Sequence, residues 1–68
     1  MYKSSLKWHR EDKGLTQLEL SEKSGVNLRM IQNYEQGVKD INKASVVTVL
    51  QLAEALGVDV YDIINPRT

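Results

Sequence analysis

Four glycines, Gly14, Gly25, Gly37 and Gly57, cut the chain into runs too short for anything but small helices, and each helical run opens on a residue suited to capping it. Ser4 or Ser5 caps a first helix over about residues 5–13, which Gly14 stops. "TQLE", residues 16–19, gives the second helix a capping box, Thr16 to the backbone of Glu19 and Glu19 back to Thr16, and Gly25 ends it. Asn27 caps a third helix to residue 36, and Gly37 sits where a left-handed terminal residue is wanted. "VKDINKA" is a polar loop. Ser45 then caps a fourth helix, in which Val46, Val49, Leu50, Ala53 and Leu56 recur at helical spacing until Gly57. Asp59 opens a last short helix, "VYDII", and Asn65-Pro66 closes the fold. With no strand-like alternation and no repeat, the expected fold is all-α: a compact bundle of five short helices forming a single domain over residues 1–68.

The third helix, inside "GVNLRMIQNYEQG", is divided by chemistry. At 100° per residue, Met30, Ile31 and Tyr34 fall within an arc of about 100°, and Leu28, Arg29, Gln32 and Asn33 fall opposite. One face packs and the other is left free to read something. Helices two and three are joined by "SGVN", a short turn containing glycine, and a capped helix, such a turn and a second helix with a polar outer face make a helix-turn-helix over about residues 16–36. In that arrangement the second helix enters the DNA major groove.

Composition narrows the alternatives. A chain of 68 residues, 41% of them apolar, supports one modest core and has no second domain for a separate activity. Without cysteine there is neither a disulfide nor a thiolate metal site, so a reducing compartment is expected. "MYKSSLKWHREDKG" is too polar for a signal peptide, and no run approaches the ~18 apolar residues of a membrane span. A soluble, cytoplasmic protein with no membrane association follows. Catalysis needs a pocket with converging polar groups; a single histidine, no glycine-rich phosphate loop and no metal-spaced ligands argue against an enzyme and against any cofactor or metal. Nine basic and nine acidic residues cancel, which is unusual for a nucleic-acid binder. Distribution matters more than the sum: residues 1–13 carry +2 and residues 38–43 carry +1, whereas residues 44–68 carry −2.

The run "GLTQLELSEKSGVNLRMIQNYEQG" resembles the helix-turn-helix domain of the phage lambda repressor and Cro-like regulators, the xenobiotic-response-element type, and "ALGVDVYDII" resembles that family's closing segment. The likeness covers roughly residues 5–65. It implies that Gln17 contacts a phosphate and supports the reading helix, that Gly25 makes the turn and that Val26 anchors it. It implies that Asn27, Leu28, Arg29, Gln32 and Asn33 meet DNA: Leu28, Arg29, Gln32 and Asn33 as base contacts and Asn27 on the backbone. Lys39, Asn42 and Lys43 are the further backbone candidates, and Arg10 with Glu35 is implied as a structural ion pair. The residue types suit the task, since Asn and Gln pair bidentately with adenine and Arg with guanine. Ser21 and Ser24 stand where relatives carry Ala and a larger apolar residue, and His9 where Leu is common, so a soft core is expected. Trp8 and Tyr61 read as packing residues, and Leu18 and Val47 as outward ones.

The expected function is a sequence-specific DNA-binding regulator, a repressor, acting on double-stranded DNA as a homodimer at a roughly palindromic operator. The alternative is an interaction module or antitoxin whose main partner is another protein. Near-zero charge and the apolar Leu18, Leu28 and Val47 favour the alternative; Gln17, Arg29, Asn33 and the loop lysines favour DNA.

Overall fold

Helix boundaries in the computed structural model, which describes residues 4–64, follow the punctuation closely: α1 spans Ser5–Asp12, α2 Gln17–Ser24, α3 Leu28–Gln36, α4 Val46–Leu56 and α5 Val60–Ile64. Ser4, Thr16, Asn27 and Ser45 are the N-caps, each accepting a backbone N–H of the first turn, and the capping box of α2 is complete in both directions. The Thr16 N–H reaches Glu19 Oε1 at 2.8 Å, and the Glu19 N–H reaches Thr16 Oγ1 at 3.0 Å. The expected closure at Asn65-Pro66 lies outside the described residues. The loop after α3 is more ordered than a plain polar connection, because Asp40 caps a 3₁₀ turn at Ile41–Lys43 through the Asn42 N–H.

Each helix contributes at least one fully buried large side chain: Leu6, Leu20, Ile31, Leu52 with Leu56, and Ile63. Val26, Tyr34 and Ala53 complete the centre of a bundle measuring 28 × 24 × 22 Å. α4 packs on α2 and α5, α5 closes against α1, and α3 is held by α2 and α1. The helix-turn-helix pair therefore rests on a platform made by the other three helices.

Several expectations about packing need correction. Val46 and Leu50 share the helical spacing of the α4 core residues yet are 72% and 45% exposed. Measured around the helix from Val49, they fall just beyond the edge of the arc occupied by Leu52, Ala53, Ala55 and Leu56, so periodicity alone overcounts the core. Trp8 and Tyr61 are exposed rather than packed inside. Each stands two residues from a buried anchor, Leu6 and Ile63 respectively, which turns it to the far side of its helix. Trp8 instead meets the half-buried His9 ring edge-on, centroids 5.0 Å apart. Ser21 and Ser24 are not simply lost core volume, because both build the turn between α2 and α3. Leu18 and Val47 are exposed, as the helical wheel requires.

Candidate nucleic-acid interface

The turn that sets α3 against α2 is held by its own side chains. Gly25 adopts φ 79°, a left-handed conformation that a Cβ disfavours, and its N–H closes on the Ser21 carbonyl at 2.9 Å. The Ser21 hydroxyl donates to the Val26 carbonyl at 2.6 Å, and the Val26 N–H donates to Ser24 Oγ at 3.1 Å. Val26 is thereby pinned into the core, and its burial fixes the angle at which α3 leaves the turn. At the other end, the Val38 and Lys39 N–H groups both donate to the Asn33 carbonyl, which anchors the following loop to the helix.

A second device locks α3 from behind. Arg10 Nε donates to Glu35 Oε2 at 2.7 Å and Arg10 Nη2 to Glu35 Oε1 at 3.0 Å, a bidentate pair whose side chains are only 10% and 2% exposed. Arg10 Nη1 also donates to the Leu15 carbonyl at 2.7 Å, so one guanidinium ties α1, the loop before α2 and α3 together. The hydrogen bond to Glu35 pushes the Arg10 guanidinium above its ordinary pKa, outweighing the cost of burial. Its stabilising contribution is accordingly present below that ordinary value and is lost only in strong alkali, outside any working pH. The pair also removes Arg10 from the surface charge, so the basic excess of the first segment is carried by its lysines alone.

Gln17 joins this network. Its Nε2 donates to Glu35 Oε1 at 3.0 Å, which fixes the amide at the start of α2 beside α3. Only one of its two amide hydrogens is spent on that bond, and its oxygen is not engaged by it. The resemblance implied that Gln17 supports the reading helix, and Glu35 is the partner on that helix which it did not name.

The outward face of α3 is narrower than the helical wheel alone suggests. Arg29 is exposed, whereas Leu28, Gln32 and Asn33 are half-buried. For Leu28 the cause is Glu35: turned in to meet Arg10, it widens the buried arc toward Leu28, which lies two turns earlier on the same side. Gln36, which the reading of the sequence passed over, is exposed and lies about 20° around the helix from Arg29; the wheel itself was enough to find it. Asn27 is exposed, and while its Oδ1 accepts from the Arg29 N–H at 2.8 Å, its amide hydrogens remain available for another acceptor.

Beyond the end of α3, Lys39 and Lys43 line one recess of about 280 Å³ together with Tyr34, Asp40 and Ala44. Two exposed ammonium groups thus share a concavity next to the 3₁₀ turn that presents Asn42. Among the described residues no group of three or more His, Cys, Asp or Glu side chains is placed to hold a metal ion, and no helix is long and apolar enough to cross a membrane. The arrangement offers hydrogen-bond donors and positive charge on a rigid helix edge.

Comparison with known proteins agrees with this geometry. The helix-turn-helix family model matches residues 6–63. The chain is 35% identical over 57 residues, 84% of its own length and 70% of the relative's, to y4dJ, named as an HTH-type transcriptional regulator, of Sinorhizobium fredii. No solved structure matches the chain.

Proposed function

The chain belongs to the Cro/C1-type helix-turn-helix family, and from that premise we propose that it is a sequence-specific DNA-binding transcriptional regulator, a repressor that acts as a homodimer on a palindromic site in the cytoplasm. The observation that carries the reading is the outward edge of α3, where Arg29 stands exposed beside Asn33 on a helix braced by the Gly25 turn and by the Arg10–Glu35–Gln17 network. Bidentate pairing with a base edge needs a side chain held in a definite place, and a helix locked at both ends supplies it.

The groups around that edge divide by role. Arg29, Gln32 and Asn33 read bases, with Leu28 against a thymine methyl. Gln17, with its remaining amide hydrogen, binds a phosphate next to the free N–H groups at the start of α2, and Asn27 does the same at the start of α3. Lys39, Asn42 and Lys43 follow the backbone on the other side of the reading helix. Blocking a promoter requires nothing beyond occupancy of the site by the bound protein.

Binding-site selection from a random duplex library, followed by titration across salt concentrations, tests this. The expected result is an enriched two-part motif and an affinity that falls with salt as counterions are released. Recovery of no motif, with binding only to another protein and without marked salt dependence, would replace the proposal by the interaction-module reading.

A further inference from the structure

We infer that the hydroxyl of Tyr34, with the ammonium groups of Lys39 and Lys43, seats one phosphodiester oxyanion of the duplex. The inference rests on the DNA-binding reading above and adds to it a residue that the helical wheel assigns only to packing. Tyr34 is 6% exposed and belongs to the core cluster. Among the described residues no buried side-chain oxygen or nitrogen is without a partner, yet the Tyr34 hydroxyl makes no hydrogen bond. Both hold only if the hydroxyl is a part of Tyr34 that reaches the surface. It does so where Tyr34 walls two recesses, one of about 280 Å³ shared with Lys39, Asp40 and Lys43, and one of about 380 Å³ shared with Lys39 and Asp40. A tyrosine buried to this degree ordinarily gives its hydroxyl a partner, so a free one facing a polar recess points to a ligand.

The donors available in the smaller recess decide what it takes. The loop's own N–H groups are spent: Val38 and Lys39 on the Asn33 carbonyl, Asn42 on the Asp40 carboxylate, Lys43 on the Asp40 carbonyl and Ala44 on the Ile41 carbonyl. An acceptor entering there meets side chains instead. Two are ammonium groups, which only donate and ride on flexible stems; the third is a hydroxyl held in place by its packed ring. Charge sets the class of ligand. Lys39 and Lys43 against the Asp40 carboxylate leave one net positive charge, which suits the single negative charge of a phosphodiester better than a phosphate dianion. Position sets its source, because the recess lies beside the 3₁₀ turn that directly follows α3. A phosphate gripped by a group anchored in the core fixes the register of α3 on the duplex without reading a base.

Tyr34→Phe in the full chain tests this, since it keeps the packed ring and removes only the hydroxyl. The variant should melt with the parent and bind the selected operator about tenfold more weakly, the loss expected for one hydrogen bond to a charged group. Base preference should stay the same, and so should the slope of log affinity against log salt, because a neutral phenol releases no counterion. A set of operators, each carrying a neutral methylphosphonate at one backbone position, then locates the contact. At one position per half-site the parent should lose affinity while the gap between parent and Tyr34→Phe closes. A folded Tyr34→Phe chain with the parent's affinity, or a gap that persists at every methylphosphonate position, overturns the inference and leaves the proposed function standing. If the parent binds no duplex, the proposed function falls, and melts in inorganic phosphate decide the site by itself. Phosphate that raises the Tm of the parent but not of Tyr34→Phe keeps the oxyanion seat with a free ligand as its occupant; equal effects on both chains overturn it.

Discussion

Replacing Arg10 by alanine removes both N–H groups that pair with Glu35 and the one that serves the Leu15 carbonyl. Glu35, its side chain 2% exposed, is then left among the described residues with only the neutral amide of Gln17. Breaking a buried pair from one side costs about 3–5 kcal/mol, because the remaining carboxylate stays desolvated. A domain of this length has roughly 3–10 kcal/mol in total at ~0.05–0.15 kcal/mol per residue. With each kcal/mol moving the midpoint of so small a domain by about 4–8 °C, Arg10→Ala should lower Tm by at least ~12 °C or leave the chain largely unfolded. Thermal and urea melts followed at 222 nm give the number, with Lys23→Ala as an exposed control that should stay within about 0.5 kcal/mol of the parent. The double variant Arg10→Met, Glu35→Leu should regain most of the loss, since filling the site with apolar volume removes the stranded charge. If Arg10→Ala melts with Lys23→Ala, the pair does not hold α1 to α3 and the reasoning fails.

Gln17→Ala should weaken binding to every duplex alike while preserving the preferred sequence, and competition against a panel of single-base operator variants would detect the opposite, a loss of discrimination at unchanged affinity. Lys39→Ala and Lys43→Ala should each reduce the slope of log affinity against log salt by about 1, and unchanged slopes in both would remove them from the backbone. Gly25→Ala should cost about 1–2 kcal/mol in a urea melt from the left-handed backbone alone, since open space surrounds the position where its Cβ would stand; a neutral result would mean that the turn relaxes.

Where each element begins and ends was written in local chemistry, and it was legible for that reason. A serine, threonine or asparagine oxygen reaches its own first turn, and a glycine takes a positive φ at the end, so Thr16 to Gly25 or Asn27 to Gly37 defines a helix without knowledge of the rest of the chain. Contacts between elements were less legible. Gln17 bonding to Glu35, eighteen residues on, depends on how α2 and α3 cross, which no local pattern encodes. Leu28 turned out half-buried on the side of Glu35, and the inward turn of Glu35 follows from Arg10 rather than from anything within α3. Likewise Val46 and Leu50 obey the helical period of the core and still lie outside it, because periodicity gives a direction and not the width of the neighbour that covers it. Ser21 and Ser24 looked like weakened core positions when only residue size was considered, and their value lies in the two hydrogen bonds that shape the turn.

The central claim is that the outward edge of α3 reads base edges. Its most direct test is the affinity of the parent and of Arg29→Ala for a selected operator and for every single-base substitution in one half-site, measured at fixed salt. The account predicts that the parent loses about 1–3 kcal/mol at each contacted base, and that Arg29→Ala binds the operator more weakly by a similar amount while becoming indifferent to the base at one position. An Arg29→Ala chain that is folded and keeps both the parent's affinity and its preference at every position would contradict it.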